Sequence, residues 1–234
     1  MSRTVYVNGE FLPEQAAKVS VFDRGFLFAD AVYEVTSVLD GKLIDFDAHM
    51  RRLDRSLREL DMSPPCGKEQ LLAIHRRLIE ANDLTDGIVY LQVSRGVADR
   101  DFVYPVDATP TLVVFTQSKP GLADSPMSRS GIKVISIPDI RWGRRDIKTV
   151  QLLYPSMGKM MAKAAGADDA WMVEQGVVTE GTANNAYIVT NGGQLVTRQL
   201  GTEILHGITR AAVLRLAGEV QMEIEERPFT IEEA

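Results

Sequence analysis

Cysteine and long apolar runs are scarce in this chain of 234 residues. Its one cysteine, Cys66, cannot form a disulfide within the chain, so the fold does not rely on an internal cross-link. No apolar run approaches the roughly 18 residues that a membrane-spanning helix requires. The first residues also lack the apolar core of a signal peptide. These absences predict a cytoplasmic protein that neither crosses nor binds a membrane.

Positive charge is also limited. The chain has 26 Lys and Arg against 32 Asp and Glu, which gives a formal net charge of −6. This balance argues against binding to nucleic-acid phosphates or anionic membrane surfaces. A hydrophobic fraction of 45% is typical of a globular protein, and the length fits one large or two small domains. Small molecules are therefore the predicted partners.

Several familiar catalytic signatures are missing. The sequence contains no G-x-x-x-x-G-K-[ST], no G-x-G-x-x-G and no G-x-S-x-G motif, so P-loop, Rossmann and α/β-hydrolase interpretations lose their main support. The three histidines, His49, His75 and His206, are far apart and lack metal-ligand spacing to Cys66. No metal site is predicted.

The sequence contains short β-rich segments mixed with helical patterns. Thr4–Val7 and Val32–Leu39 are rich in β-branched residues and lead into Asn8-Gly9 and Asp40-Gly41, which predicts two hairpins. The stretch 23–30 between them is predicted to be a loop with a helical turn. Short hairpins with interspersed helices indicate an α+β fold rather than repeated βαβ units.

Apolar residues at helical spacing predict one helix from Asp47, as the N-cap, to about Leu60, and a second over 68–82. Further strands are predicted over 87–93, 109–116, 132–137, 170–173, 186–189, 194–196 and 223–226, with helices around 154–165 and 209–218.

Residues 118–131 concentrate Pro, Gly and Ser, the composition of a linker. We therefore expect an N-terminal domain over 1–117 and a C-terminal domain over 132–234. Near the end, Thr230 followed three residues later by Glu233 has the spacing of a capping box. Because a capping box begins a helix, the C-terminal domain is expected to be incomplete in this chain.

Three isolated features have chemical potential. Lys148 follows the basic run 141–145, and a lysine held among cations can lose its proton and attack an aldehyde, although a surface lysine is the simpler interpretation. Glu180 ends an apolar run beside Gly181, where a β-turn is the simpler interpretation. Residues 207–209 precede an apolar helical pattern, which suggests either an anion-binding helix N-terminus or an ordinary capped helix.

In order, these segments resemble the fold-type IV family of pyridoxal-phosphate enzymes, and most closely its D-amino acid aminotransferase branch. Each motif is weak alone, but six in this order are specific, and the resemblance covers essentially the whole chain. The motifs are Asp23-Arg-Gly-Phe-Leu-Phe-Ala-Asp-Ala-Val-Tyr33-Glu-Val, His49-Met-Arg-Arg52-Leu, Ser94-Arg-Gly-Val-Ala-Asp-Arg100, Asp146-Ile-Lys148, Val178-Thr-Glu180-Gly and Gly207-Ile-Thr209-Arg.

The resemblance implies a two-domain α+β fold, with a smaller N-terminal α/β domain and a larger, β-rich C-terminal domain that is truncated here. Pyridoxal 5'-phosphate would bind in the cleft between the domains. Lys148 would form the Schiff base and then carry the proton, and Glu180 would pair with the pyridine nitrogen. The other implied cofactor-binding residues are Arg52, Gly207, Ile208 and Thr209 at the phosphate and Leu205 against the ring.

The resemblance also implies that Tyr33 and Arg100 hold the substrate carboxylate. The D-specific branch usually has a histidine two positions after this arginine, whereas this chain has Phe102. The implied reaction is ping-pong transfer of an amino group from a D-amino acid such as D-alanine to a 2-oxo acid such as 2-oxoglutarate, by a homodimer. The alternatives are an aminodeoxychorismate lyase, an amine or branched-chain aminotransferase, and a non-catalytic binding module of the same fold.

Overall fold

The computed structural model describes residues 2–234, which divide into two compact units. The N-terminal unit comprises Met1–Ser125 and Ile147–Val150, and the C-terminal unit comprises Pro126–Asp146 and Gln151–Ala234. The border after Ser125 falls within the predicted linker, 118–131. Both units combine helices with short strands, so the predicted α+β fold is confirmed.

Two hairpins open the N-terminal unit. The turn residues Asn8-Gly9 and Asp40-Gly41 all have positive φ angles, which two-residue hairpin turns require. Both predicted hairpins are therefore confirmed. Their strands are β1 (Thr4–Val7), β2 (Glu10–Pro13), β3 (Ala31–Leu39) and β4 (Lys42–Leu43). The short helix α1 (Arg24–Phe28) lies between the hairpins, as expected for residues 23–30.

Within residues 2–234, the N-terminal unit forms a six-stranded antiparallel sheet of order β2-β1-β6-β5-β3-β4. Its central strands are β5 (Gly87–Ser94) and β6 (Thr111–Ser118), both close to their predicted bounds. Helices α2 (Phe46–Glu59) and α3 (Lys68–Ala81) pack on the sheet and bury a row of leucines on their inner faces. This apolar layer is the core of the unit.

The predicted N-cap of α2, Asp47, is wrong. Asp45 occupies the cap with a φ of 53°, and the buried Phe46 is the first helical residue. Asp47 lies in the first turn, where its carboxylate accepts a salt bridge from Lys68 Nζ at 2.7 Å. Hydrophobic periodicity thus predicts the body of the helix, but it does not distinguish between two nearby aspartates at its start.

The C-terminal unit contains two small mixed sheets among residues 126–234. In the first, β7 pairs with β8 in parallel and β9 pairs with β8 antiparallel; in the second, β11 pairs with β10 antiparallel and with β12 in parallel. The elements are α4 (Met127–Ser130), β7 (Val134–Pro138), α5 (Leu153–Ala164), β8 (Asp169–Glu174), β9 (Val177–Gly181), β10 (Tyr187–Val189), β11 (Leu195–Thr197), α6 (Ile208–Glu219) and β12 (Ile224–Glu226).

Strand β9 corrects the simpler interpretation of its segment as a turn. Its Val178 is fully buried against Val196 and Phe229, so the apolar run is a strand on a core and Glu180 lies near its end. At the end of the chain, Thr230 Oγ1 accepts a hydrogen bond from Glu233 N at 3.2 Å. That contact is the first of the two hydrogen bonds in the predicted capping box.

A buried histidine makes the stability of the N-terminal unit dependent on pH. His75 on α3 has no exposed surface, donates from Nδ1 to Leu71 O at 2.7 Å and contacts the Phe46 ring edge-on. Burial lowers its pKa to about 4, and the nearby His49 also disfavours its charged form. Because the unfolded chain binds this proton more tightly, stability is complete above about pH 6.5 and is lost as the pH falls towards 4.

We expect the free energy of unfolding to fall by about 3 kcal/mol from this residue between pH 6.5 and 4. The test compares chemical unfolding of the wild type and His75→Met across this range. The variant should lack this part of the pH dependence, whereas a His206→Asn control should keep it. Parallel pH profiles for the wild type and His75→Met would contradict the prediction.

Candidate functional site

Backbone pairing fixes Lys148 beside β3. Tyr33 N donates to Lys148 O at 3.0 Å, and Val32 and Thr149 form an antiparallel bridge. Val150 N donates to Ala31 O at 3.1 Å, so residues 148–150 run along the start of β3. This pairing places a segment from beyond the predicted linker on the N-terminal sheet.

Lys148 and Tyr33 are brought together by this arrangement. Lys148 Nζ donates to Tyr33 Oη at 3.2 Å and lies 4.2 Å from the centre of the tyrosine ring. Lys148 N also lies 3.4 Å from Oγ of the buried Ser56 on α2. An amine and a phenol at hydrogen-bond distance can exchange a proton, so two predicted site residues form one chemical pair.

A buried carboxylate orients Arg52 on α2. Glu34 on β3 is only 1% exposed, and it accepts hydrogen bonds from Arg52 Nε at 2.8 Å and Nη2 at 2.7 Å. His49 Nδ1 lies 2.7 Å from the same carboxylate. Burial opposes ionisation of Glu34, but Arg52 and His49 together hold the pKa of its carboxyl below its usual range. The forked contact fixes the direction of the arginine.

Tyr33 belongs to a row of aromatic side chains on the sheet. Its ring stacks on Tyr90 with centroids 5.6 Å apart, and Tyr90 stacks on Phe115 at 4.8 Å. Tyr90 Oη donates to Gln92 Oε1 at 2.9 Å, and burial raises the pKa of Tyr90 to about 12. The row restricts the movement of the Tyr33 ring and keeps the neighbouring phenol protonated at neutral pH.

Arg100 lies on the exposed surface of the N-terminal unit rather than in the Tyr33–Lys148 pair. Its guanidinium carbon is 5.2 Å from the centre of the Phe28 ring and 5.6 Å from that of Phe102. Phe102, the residue that replaces the usual histidine, is 78% exposed and packs edge-on against Phe28. The structure thus places Arg100 on a loop whose side chains are largely open to solvent.

Paired arginines anchor that loop. Arg24 and Arg95 each donate from Nε to Asp30 Oδ2 at 2.8 Å. Arg24 Nη1 also donates to Asp101 O at 2.7 Å, and the Arg95 guanidinium stacks 3.6 Å from the centre of the Tyr104 ring. The loop is therefore held on both sides of Phe102, through the Asp101 backbone and the Tyr104 side chain, although the side chain of Phe102 is exposed.

Glu180 of the C-terminal unit accepts hydrogen bonds on both of its carboxylate oxygens. It is 4% exposed; Oε1 accepts hydrogen bonds from Leu205 N at 2.7 Å and Asn185 Nδ2 at 2.9 Å. Oε2 accepts one from Arg141 Nη1 at 2.7 Å. Burial raises the pKa of Glu180 above its usual range, and Arg141 opposes that rise. A buried carboxylate with fixed oxygens can pair with a cationic nitrogen.

The segment 205–209 is tied to the same carboxylate. Asn185 Nδ2 donates to Leu205 O at 2.9 Å as well as to Glu180. Gly207 is the N-cap of α6, and a Cβ at this position would lie 2.1 Å from Asn185 Oδ1, so the close approach requires glycine. Helix α6 starts at Ile208, one residue before the predicted Thr209. Its first-turn N–H groups form a positive helix end.

The basic run 141–145 has carboxylate partners within the C-terminal unit. Arg145 binds Glu174 through both terminal nitrogens, at 2.8 and 2.9 Å. Arg144 pairs with Asp146, and Arg141 with Asp139 and Glu180. That these cations activate Lys148 stays a prediction. Among residues 2–234, no group of three or more His, Cys, Asp and Glu is placed to hold a metal ion, and no helix is long and apolar enough to cross a membrane.

Sequence reasoning missed three residues that orient the predicted site residues: Ser56, Arg141 and Asn185. Asn185 lies five residues after its partner Glu180, but Arg141 and Ser56 contact residues that are distant in sequence. Glu180 is 39 residues from Arg141, and Lys148 is 92 residues from Ser56. Nothing in the local sequence indicates these pairings.

Comparisons with known proteins agree with the resemblance. The family model for class IV aminotransferases matches residues 31–234. A D-alanine aminotransferase of Staphylococcus aureus (strain MSSA476) is 34% identical over 231 residues, which cover 97% of this chain and 80% of that protein. The D-alanine aminotransferase of Bacillus licheniformis is 35% identical over 229 residues, with 98% and 80% coverage.

Solved structures support the same fold. A branched-chain aminotransferase from Thermoproteus uzoniensis, crystallised with norvaline, has a TM-score of 0.86 at 24% identity and covers 100% of this chain. A branched-chain aminotransferase from T.th., complexed with N-(5'-phosphopyridoxyl)-L-glutamate, has a TM-score of 0.86 at 21% identity and covers 99%. This chain spans 80% and 78% of those two chains. With the family model and the D-alanine aminotransferase relatives, the agreement shows that the chain belongs to the class IV, or fold-type IV, aminotransferase family.

Proposed function

We propose that this protein is a pyridoxal-phosphate-dependent aminotransferase that moves the amino group of a D-amino acid, such as D-alanine, to a 2-oxo acid, such as 2-oxoglutarate. Relatives that carry the D-alanine aminotransferase name align over 97% of the chain. The observation that carries the proposal is the 3.2 Å contact of Lys148 Nζ with Tyr33 Oη. That contact gives a class IV aminotransferase the amine and proton partner that its chemistry needs.

The donor set fits this cofactor. A half-buried lysine can bind an aldehyde, and the buried Glu180 carboxylate can face a protonated ring nitrogen. Because Gly207 has no Cβ, the start of α6 packs closely against the Asn185 side chain, which also donates to Glu180. This helix end suits a phosphate dianion. When bound, pyridoxal phosphate supplies the aldehyde that takes the amino group and a ring that withdraws electrons from the substrate α-carbon.

Lys148 has two proposed tasks. Its Nζ would hold the cofactor aldehyde, and the free amine would accept the proton from the substrate α-carbon. The hydroxyl of Tyr33, at 3.2 Å, orients the amine and stabilises its charged form by a hydrogen bond. The backbone pairing of residues 148–150 with β3 limits the movement of Nζ, because the lysine main chain is fixed.

The remaining cofactor contacts are proposed from the matched motifs. Glu180 pairs with the ring nitrogen and Leu205 packs against the ring. Leu205 is tied to Glu180 through its own N–H, so the two contacts are mechanically coupled. The phosphate contacts are assigned to Arg52, which Glu34 orients, and to Gly207, Ile208 and Thr209 at the start of α6.

A homodimer is part of the proposal. Large apolar side chains are exposed in the N-terminal unit, such as Phe26 at 73% and Val106 at 95%. The C-terminal unit exposes Leu153 at 77% and Met160 at 64% on α5. Exposed apolar area of this kind favours association, so light scattering should give twice the 25.9 kDa of one chain. The cytoplasmic location stays a prediction that cell fractionation tests.

We expect the holoenzyme to react with D-alanine at least about tenfold faster than with L-alanine, which is about 1.4 kcal/mol of discrimination. The measurement follows the loss of the cofactor's aldehyde absorbance and the release of pyruvate in single-turnover mixing. The reaction should stop after one equivalent of pyruvate and resume with 2-oxoglutarate. The Lys148→Ala variant is the control and should show no turnover.

The other outcomes separate the rival functions. Faster reaction with L-leucine than with D-alanine would indicate a branched-chain aminotransferase, and faster reaction with simple amines an amine aminotransferase. Catalytic release of pyruvate from aminodeoxychorismate without a 2-oxo acid would indicate the lyase. No absorbance change with any of these compounds would indicate a binding module. Each result would overturn the proposed D-amino acid activity.

The matched motifs assign Arg100 and Tyr33 to the substrate carboxylate, and we propose this role for both, although Arg100 lies on an exposed loop outside the Tyr33–Lys148 pair. We expect Arg100→Ala to raise KM for D-alanine roughly tenfold or more, the effect of one lost charge-assisted hydrogen bond. The half-reaction with an uncharged primary amine should change much less, because no carboxylate is present. Arg76→Ala, which removes an exposed arginine on α3, is the control and should leave KM unchanged. Equal losses of activity with D-alanine and with the amine would show that Arg100 does not bind the substrate carboxylate.

A further inference from the structure

Arg141 connects two buried carboxylates with one guanidinium group. It donates from Nε to Asp139 Oδ1 at 3.0 Å and from Nη2 to Asp139 Oδ2 at 2.7 Å. Its Nη1 donates to Glu180 Oε2 at 2.7 Å. The Asp139 side chain has no exposed surface, and that of Glu180 is 6% exposed. The forked contact to Asp139 fixes the guanidinium plane, and this fixed plane directs Nη1 at Glu180.

The anchor of this arginine is itself held firmly. Asp139 accepts a hydrogen bond from Thr179 Oγ1 at 2.6 Å, and its backbone N donates to Val173 O at 2.8 Å. Arg145 Nη1 lies 3.4 Å from Asp139 Oδ2, but that arginine directs both terminal nitrogens at Glu174. The two arginines therefore differ. Arg141 contacts Glu180, whereas Arg145 contacts Glu174, lies near Asp139 and donates from Nη2 to the backbone O of Arg141 at 3.2 Å.

The charged surroundings of Glu180 are mixed. Arg141 is the cation in contact with it, while the other two donors, Asn185 Nδ2 and Leu205 N, are neutral. Asp139 lies behind Arg141 and disfavours ionisation of Glu180. Burial raises the pKa of the Tyr187 phenol on β10, and the charge of Glu180 adds to that rise. Burial favours the neutral acid, so the ionised state depends on the nearby positive charge.

We propose that Arg141 is a positioning residue that keeps Glu180 ionised and holds Oε2, which has one lone pair left, in a fixed place for a cationic ring nitrogen. This inference rests on the proposed function for its catalytic consequence. Its electrostatic part, the control of the proton on Glu180, is a property of the protein alone. Loss of Arg141 should transfer a proton to Glu180 near neutral pH and remove the carboxylate that a protonated ring needs.

The first test uses the full chain freed of cofactor and needs no activity. Without Arg141, the Glu180 pKa rises further above its unfolded value. The folded protein then holds the proton of Glu180 more tightly than the unfolded chain does. The resulting stability is present at low pH and is lost as the pH rises through the raised pKa of Glu180 in the folded protein. We expect Arg141→Gln to lose stability relative to Arg141→Gln/Glu180→Gln as the pH rises above the usual titration range of a carboxyl group. The wild type should lose less relative to Glu180→Gln.

The matched control is Arg145→Gln, which removes another buried cation from the same network without touching Glu180. Above the usual titration range of a carboxyl group, where the Arg145 pair with Glu174 stays charged, its stability should fall by a similar amount at every pH, with no added dependence on Glu180. If Arg141→Gln is too unstable to purify, Arg141→Lys keeps the charge and should restore the wild-type profile. Identical pH profiles for Arg141→Gln in the presence and absence of Glu180 would overturn the proposal.

The second test measures kcat of the holoenzyme with D-alanine across pH. Arg141→Gln should lose at least about tenfold in kcat near pH 6.5 and recover part of that loss as the pH rises, because Glu180 then ionises. In the Glu180→Gln background the same substitution should cost less than about threefold. A loss of kcat that is constant with pH and additive with the effect of Glu180→Gln would show that Arg141 has only a structural role. Absence of D-alanine turnover in the wild type would reject the proposed function and leave the first test intact.

Discussion

Buried carboxylates need strong hydrogen-bond donors, and this need organises the candidate site in each unit. Glu34 is held by Arg52 and His49, and Glu180 by Arg141, Asn185 and the Leu205 backbone. Burying a carboxylate without such donors would destabilise the folded state by several kcal/mol, because the charge loses its hydration. The donors are themselves proposed site residues or their immediate supports. Satisfying the two glutamates therefore also determines where Arg52 and the start of α6 lie.

The candidate site also requires a reactive amine in a fixed position, and backbone pairing restricts the position of Lys148. Residues 148–150 run along β3 and leave Lys148 Nζ beside the Tyr33 hydroxyl, while the Tyr90 ring stacks behind Tyr33. Lysine has four flexible side-chain bonds, so a fixed main chain and a hydrogen-bonded tip remove much of its freedom. Catalysis by a positioned amine benefits directly from that loss of freedom.

Local sequence predicted those parts of the fold that local physics determines. Asn8-Gly9 and Asp40-Gly41 identified the hairpins because those residues tolerate positive φ. The start of α2 was misplaced because Asp45 and Asp47 are both plausible caps, and the choice depends on burial of Phe46. The Arg141–Glu180 and Lys148–Ser56 contacts join distant segments, so residue spacing could not reveal them. The resemblance of the motifs predicted the family, but it did not predict the contacts of Arg141 and Ser56.

The central claim is that Lys148, held beside Tyr33, is the residue that binds pyridoxal phosphate. Borohydride reduction of the holoenzyme, followed by proteolysis and mass spectrometry, tests it most directly. The account predicts one reduced cofactor adduct, on the peptide that contains Lys148, and its absence from Lys148→Ala while Lys159→Ala keeps it. A stable adduct on any other lysine of the native enzyme would contradict the account.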